Sequence, residues 1–211
     1  MTKHDGGTAH RAMRHRQARL QVISGPMFAG KSEELLRRVR RARLAGLELE
    51  VVNHSLDERT GRHMVASHAG LGLPAHAFSE PTAIAALAGT RRLDLVAIDE
   101  GQFFGPGLVQ VATALVAAGT TVAVAGLSVT LEGRPFEPLP ELMALAEDVT
   151  KLTAVCTVCG DDAAFHQRMA PGSAGDVLLP AAEHIGGTEA YQARCRLHFH
   201  PRGAGVRTTP E

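Results

Sequence analysis

Up to residue 126, apolar and polar residues alternate between two patterns, one typical of buried β-strands and one typical of helices. Short apolar runs predict β-strands, and the stretches between them have apolar residues at helical spacing or alanine-rich composition. The predicted strands are residues 20–24, 49–53, 93–99 and 121–126, and the predicted helices are residues 31–45, 81–89 and 107–118. Strands that alternate with helices through short connections predict an α/β fold, in which helices cover both faces of a parallel sheet.

The alternation of predicted strands and helices ends after residue 126. Residues 127–140 are rich in proline, and only residues 139–146 predict a further short helix. From residue 149 onward the chain has short strand-like runs and loops around its cysteines. Residues 55–73 are polar and glycine-rich, and we expect them to form a loop.

One motif lies between the first predicted strand and the first predicted helix. It fits G-x-x-x-x-G-K-[ST] at every fixed position, which is the pattern of a phosphate-binding loop. Backbone N–H groups of such a loop surround phosphate oxygens, the lysine reaches the terminal phosphates and the hydroxyl can bind Mg²⁺. The motif predicts binding of a nucleoside triphosphate through Gly25, Pro26, Met27, Phe28, Ala29, Gly30, Lys31 and Ser32.

Two acids end a buried-type strand that we expect beside this loop. Enzymes with a phosphate-binding loop hold Mg²⁺ with an acid in this setting, which fits Asp99. Glu100 follows directly and can point toward a different group, because successive residues at a strand end face opposite ways. Gln102 adds a polar group, and the aromatic residues Phe103 and Phe104 suggest a lined pocket.

The three cysteines all lie in the last third of the chain. Cys156 and Cys159 form one C-x-x-C pair, and Cys195 and His198 form a second pair with the same spacing. Two short pairs of such ligands predict a closed tetrahedral zinc site, which has a structural role because no position is open. His200 and His166 are alternative fourth ligands.

Composition excludes several other classes of protein. The chain has 211 residues with 22 basic and 22 acidic side chains, so its formal net charge of zero gives no support for nucleic-acid binding. No apolar run has transmembrane length, and the basic N-terminus lacks the apolar region of a secretory signal. We therefore expect a cytoplasmic protein with neither a membrane nor a nucleic-acid partner.

In chain order, these motifs resemble the zinc-containing, tetrameric thymidine kinases of bacteria and animal cytosol. The matching segments are residues 25–32, 57–59, 98–104, 134–136, 151–156 and 185–196. The resemblance implies transfer of the ATP γ-phosphoryl group to the 5′-hydroxyl of thymidine, and also of deoxyuridine, to give dTMP in nucleotide salvage. It further implies ATP, Mg²⁺ and structural Zn²⁺ as cofactors, a homotetramer, and feedback inhibition by dTTP.

The resemblance also implies roles for individual residues. Glu100 corresponds to the general base, and Asp99 and Ser32 to Mg²⁺ positions. The nucleotide side further includes Asp57, Glu58, Arg59, Gly101 and Gln102. The thymidine side includes Phe103, Leu131, Ala182, Glu183, His184, Ile185, Gly186 and Tyr191.

The implied architecture is a P-loop (RecA-like) sheet domain followed by a small zinc-ribbon-like domain, whose lasso loop closes over the nucleoside. We divide the chain accordingly into a basic tail (1–19), the nucleotide-binding domain (20–149), the zinc-binding and nucleoside-lid domain (150–200) and a C-terminal tail (201–211).

The chain departs from the family pattern at residues 127–133. The family usually has an aromatic residue near the position of Leu131, and a smaller residue near that of His166. His198 replaces a cysteine found in some members. A related kinase with another base preference therefore remains an alternative, as do a P-loop switch protein, although a guanine-reading N-K-x-D segment is missing, and a zinc-ribbon nucleic-acid binder, although acids offset the bases near the cysteines.

Overall fold

The computed structural model describes residues 17–56, 64–66, 72–168 and 191–201. The strands are, in chain order, β1 (Leu20–Gly25), β2 (Leu49–His54), β3 (Met64–Ala66), β4 (Gly72–Pro74), β5 (His76–Phe78), β6 (Leu95–Ile98), β7 (Thr121–Leu127), β8 (Asp148–Lys151), β9 (Ala154–Val155), β10 (Asp162–Ala163), β11 (Phe165–Arg168) and β12 (Tyr191–Arg194). The helices are α1 (Lys31–Leu44), α2 (Pro81–Gly89), α3 (Gly107–Ala117) and α4 (Leu139–Leu145), and a 3₁₀ turn covers Gly101–Phe104.

A parallel sheet of six strands, in the order β5-β2-β6-β7-β1-β8, forms the centre of the fold. Helix α1 covers one face, where Leu35, Leu36 and Val39 pack against sheet residues such as Ile23. Helices α2, α3 and α4 cover the other face, and their apolar side chains join those of the sheet in a second cluster. The predicted α/β fold with helices on both faces is therefore confirmed.

Helix α1 shows why the local sequence folds as predicted. Its buried residues recur every three or four positions, so they form one apolar stripe toward the sheet. Acidic residues occupy its first turn and arginines its last turn, where each charge opposes the helix dipole. The Arg38 guanidinium then extends from the helix to the Asp148 carboxylate at 2.8 Å, which links α1 to the edge strand β8.

Three details differ from the sequence-based expectations. Part of the segment expected as a loop forms an antiparallel pair, β3 with β4, and β5 adds a strand to the main sheet. These strands have three residues each, too few to show a period of two. The boundary expected between residues 149 and 150 falls inside β8, which pairs with β1, so the sheet half extends through Lys151.

Two small antiparallel sheets follow β8. Cys156 and Cys159 lie in the segment after β9, and Cys195 and His198 lie in the segment after β12. Strand β9 pairs with β10, and β11 pairs with β12. Both tails, as divided above, lie almost entirely outside the described residues. Among the described helices, none is long and apolar enough to cross a membrane.

Candidate active site

The phosphate-binding loop joins β1 to α1 as predicted, and its backbone has two left-handed residues. Phe28 has φ 68° and Gly30 has φ 79°, so the chain turns sharply before the helix begins at Lys31. A Cβ atom on Gly25 would lie 2.7 Å from the Leu152 carbonyl oxygen, which explains the first glycine of the motif. The Lys31 ammonium group folds back and donates to the Pro26 carbonyl oxygen at 2.7 Å.

Asp99 reaches this loop although its strand is not the immediate neighbour of β1. Strand β7 lies between β6 and β1, yet the Asp99 carboxyl group is hydrogen-bonded to the Ser32 side chain. Burial and the nearby Glu100 carboxylate raise the pKa of Asp99 to about 7, against the opposing effect of the Ser32 hydrogen bond. A hydroxyl and a buried carboxylate in contact at the start of a helix are oxygen donors that suit Mg²⁺.

Glu100 lies in an unusual backbone conformation at the start of the 3₁₀ turn. Its φ of 52° is in the left-handed region that non-glycine residues rarely adopt, and its N–H donates to an Asp99 carboxylate oxygen at 2.9 Å. The residue is 9% exposed, so Glu100 is largely buried. Local strain of this kind is concentrated at functional sites because the surrounding structure must maintain it.

Gln102 holds the Glu100 carboxylate in place. Its amide oxygen accepts the Leu127 N–H at 2.9 Å, so its NH₂ group is the one that donates to Glu100, at 2.6 Å. The side chain thus connects Glu100 to the end of β7, whereas the sequence analysis grouped Gln102 with the nucleotide. Gly101 also has a packing role, since a Cβ atom there would lie 2.5 Å from a Val124 methyl carbon.

A small apolar cluster lies beside these groups and includes residues expected on the nucleoside side. Tyr191 and Leu131 are both buried in it. Met27 is in the same cluster, so its side chain packs with Tyr191 and Leu131 although its backbone belongs to the phosphate-binding loop. Phe103 lies edge-on to Phe136, whose ring packs against the cluster.

Met27, Leu127 and Phe136 contribute side chains to this cluster that the sequence did not indicate. Met27 occupies a variable position of the loop motif and Leu127 ends a strand, so neither has a spacing signal. Phe136 was identified only as part of a matching segment. Two groups of predicted site residues lie outside the described residues: Asp57, Glu58 and Arg59, and Ala182, Glu183, His184, Ile185 and Gly186.

The predicted metal ligands come together in the zinc-ribbon-like half. One ligand atom each of Cys156, Cys159, Cys195 and His198 lies within 4.8 Å of the other three. The Cys159 and Cys195 sulfurs are 3.7 Å apart, and the Cys195 sulfur is 3.2 Å from His198 Nδ1. The three cysteines form no disulfide, and three thiols with one imidazole are a ligand set that fits tetrahedral zinc.

The two alternative fourth ligands lie elsewhere. His166 is fully buried in β11, opposite Ala193 of β12. His200 follows β12 and donates its backbone N–H to Gln167 at 3.1 Å. Within the described residues, the Cys₃His set is the group of this kind that could hold a metal ion.

The fold and these groups define a P-loop nucleotide-binding protein with a second, Cys/His-rich module. The family model described as thymidine kinase matches residues 18–199. The chain is 44% identical over 187 residues to a thymidine kinase of Bdellovibrio bacteriovorus, covering 89% of this chain and 88% of that protein. It is 45% identical over 188 residues to a thymidine kinase of Deinococcus deserti, covering 85% and 93%.

The chain belongs to the thymidine kinase family. Among solved structures, it is similar to the genome packaging NTPase B204 of Sulfolobus turreted icosahedral virus 2, with a TM-score of 0.44 and 12% identity over 67% of this chain and 77% of that chain. The fold assignment rests on the sheet order and loop geometry described above.

Proposed function

We propose that this chain is a thymidine kinase that transfers the γ-phosphoryl group of ATP to the 5′-hydroxyl of thymidine or deoxyuridine. One observation carries the proposal: Asp99 is hydrogen-bonded to Ser32 of the phosphate-binding loop, and Glu100 is connected through Gln102 to Leu127 of the apolar cluster. We therefore assign the phosphate donor to the loop and the nucleoside base to the cluster that contains Tyr191 and Leu131.

In this reaction the 5′-oxygen of the nucleoside forms a bond to the γ-phosphorus, the bond to the β,γ-bridging oxygen breaks, and ADP leaves. Glu100 accepts the hydroxyl proton, and Gln102 holds its carboxylate toward the acceptor. Lys31 and the loop N–H groups neutralise phosphate charge, and the resemblance assigns the same role to Arg59. Phosphoryl transfer depends on such positioning and charge neutralisation more than on covalent chemistry.

Ser32 and Asp99 are the residues that would hold Mg²⁺, which supplies further charge neutralisation on the β- and γ-phosphates. Cys156, Cys159, Cys195 and His198 would hold a structural Zn²⁺. In the sequence, these two pairs of ligands flank the segment that contains residues 182–186, and the resemblance implies that bound zinc would anchor both ends of a lasso loop there. A homotetramer, feedback inhibition by dTTP and a cytoplasmic location are family properties that we extend to this chain.

A second candidate is a related kinase with a different base preference. Leu131 stands where the family usually has an aromatic residue, and it is buried beside Tyr191. His166 is fully buried two residues from Arg168, which is the register partner of Tyr191. Both changes alter the apolar side of the pocket and leave the phosphate side unchanged.

A panel of nucleosides tests both candidates. Phosphorylation with ATP and Mg²⁺ is measured for thymidine, deoxyuridine, deoxycytidine and the purine deoxynucleosides. The highest kcat/KM is expected for thymidine. A higher value for another deoxynucleoside would favour the second candidate. ATP hydrolysis that is unaffected by every nucleoside would favour a P-loop switch protein and refute both.

A further inference from the structure

His54 lies beside the candidate active site, although none of the motifs above includes it. It is the last residue of β2 and is 4% exposed. Its Nδ1 atom accepts the Leu56 N–H at 3.1 Å, and its Nε2 atom lies 3.3 Å from the Ser79 carbonyl oxygen. A backbone N–H only donates and a carbonyl only accepts, so the ring carries its proton on Nε2 and is neutral. Burial lowers the pKa of His54, which agrees with this state.

The two hydrogen bonds fix the ring against the aromatic pair that follows Glu100. The His54 ring is edge-on to Phe104, with a centroid distance of 4.6 Å and an interplanar angle of 81°. It is tilted against Phe103 at 5.7 Å and 50°. Phe103 is in turn edge-on to Phe136 at 6.5 Å. These are favourable aromatic geometries. The rings form a continuous line from the end of β2 to the apolar cluster that contains Tyr191 and Leu131.

The same aromatic pair belongs to the 3₁₀ turn Gly101–Phe104, which begins directly after Glu100. On one side the turn is attached to β7 through the Gln102 side chain. On the other side, the His54 ring connects it to β2. The Glu100 backbone has a strained conformation at the start of this turn, so its carboxylate keeps its position only while both attachments hold.

We propose that His54 is a positioning residue for the acceptor side of the reaction. Its neutral ring, held by two backbone groups, fixes the turn that carries Phe103 and thereby fixes the Glu100 carboxylate and one wall of the nucleoside pocket. His54 itself contacts neither ATP nor the nucleoside. The inference rests on the proposed kinase function.

Two substitutions distinguish the contribution of the His54 ring from that of its hydrogen bonds. His54→Asn keeps an acceptor for the Leu56 N–H, because an asparagine oxygen bonds the backbone two residues on, but it has no ring. His54→Phe keeps the ring and loses both hydrogen bonds. For each we would measure kcat and KM for thymidine, the affinity for a non-hydrolysable ATP analogue without nucleoside, and the thermal midpoint Tm.

His54→Asn should lower kcat/KM for thymidine about tenfold through the lost ring contacts, while the affinity for the ATP analogue stays within about twofold. His54→Phe should keep kcat/KM within about threefold of wild type but lower Tm, because two backbone groups lose their partner. A merely structural residue would not separate activity from stability in this way.

His76 provides the matched control. It lies on β5, paired in register with Val52, and its ring stacks on Phe78 at 5.8 Å, away from the 3₁₀ turn. His76→Asn and His76→Phe should leave kcat/KM for thymidine unchanged. If a His54 variant does not fold, His54→Gln replaces the asparagine variant and His54→Tyr the phenylalanine variant.

Several outcomes would overturn the proposal. One is a wild-type kcat/KM in the variant that lacks the ring. Another is a loss of ATP-analogue affinity as large as the loss of kcat/KM, which would indicate general disorder of the site. If wild-type protein phosphorylates no nucleoside, the proposed function itself is refuted, and the role of His54 with it.

Discussion

The sheet half and the zinc-ribbon-like half of this chain are stabilised by different means. The sheet has a large apolar cluster on each face. The described residues of the second half form a small cluster of Ala154, Ala163, Ala193 and two of the cysteines, Cys156 and Cys195. Because small side chains bury little apolar surface, we expect metal binding to supply part of the free energy that orders this half.

The phosphate-binding loop connects the two halves. Phe28 packs against the cluster of the second half and also against the apolar cluster that contains Tyr191 and Leu131. Gly25 lies against the Leu152 backbone just after β8. The sheet thus holds the phosphate-binding loop and the Asp99–Glu100 pair, and the Cys/His module contacts that loop. We therefore expect ATP binding to depend on the apolar clusters of the sheet, and thymidine binding to depend on the metal site of the second half.

The largest effect is expected in the sheet half, from Glu100→Gln. Loss of a general base lowers turnover by about 10²- to 10⁴-fold, while the phosphate-binding loop still binds the ATP analogue. Steady-state kinetics and calorimetry would measure the two properties. Glu132→Gln, at an exposed position after β7, is the matched control and should have wild-type turnover. Wild-type turnover in Glu100→Gln would remove Glu100 as the base.

The next effect should follow from removing zinc with a chelator. Thymidine affinity should be lost and the second half should unfold, because its cluster of small side chains buries little apolar surface. The affinity for the ATP analogue should weaken much less, through the loop residues Phe28 and Ala29 that pack against this cluster. Metal analysis should find one zinc per chain, and added zinc should restore binding. Equal loss of both ligands would show that the halves do not differ in the way described.

A smaller effect tests the contact between the halves. In Gly25→Ala the new Cβ atom would lie 2.7 Å from the Leu152 carbonyl oxygen, which should cost about 1–3 kcal/mol of unfolding free energy. Gly89→Ala is the control, because a Cβ atom there has no other atom within 4 Å. Denaturant unfolding would compare the two variants. Equal stability would mean that the loop does not need this close approach.

The smallest effect concerns the acid sensitivity of the sheet half. Hydrogen bonds from Arg37 and Arg38, against partial burial, lower the pKa of Glu34 to about 2 from an ordinary value of 4.5. A lowered folded-state pKa stabilises the fold above pH 4.5, and the contribution is lost as the pH falls toward 2. Glu34→Gln should therefore cost about 0.5–1 kcal/mol at pH 7.

The stability difference between wild type and Glu34→Gln should shrink as the pH falls through this window. Glu33→Gln, the neighbouring change in the same helical turn, is the control and should leave the stability at pH 7 unchanged. A difference that is constant from pH 7 to pH 2.5 would contradict the assignment.

The sequence predicted the groups that are defined by local patterns. The phosphate-binding loop, Asp99 with Glu100, and the four metal ligands each follow from spacing within a few residues. Helices α1 to α3 were predicted to within about two residues, because their boundaries have glycine or proline signals.

Contacts between distant segments could not be predicted in this way. The attachment of Glu100 to Leu127 through Gln102 depends on the strand order, which places β7 beside β6. His54 meets Phe103 and Phe104 for the same reason, because β2 is the other neighbour of β6. Strand β5 was too short to recognise, and Met27 had no pattern that indicated the direction of its side chain.

Transfer of labelled phosphate tests the central claim most directly. Wild-type protein with Mg²⁺ and ATP labelled in the γ-phosphoryl group is followed with and without thymidine. The account predicts that the label appears in dTMP and that little inorganic phosphate forms without thymidine. Release of labelled inorganic phosphate at the same rate with and without thymidine, and no labelled dTMP, would contradict it.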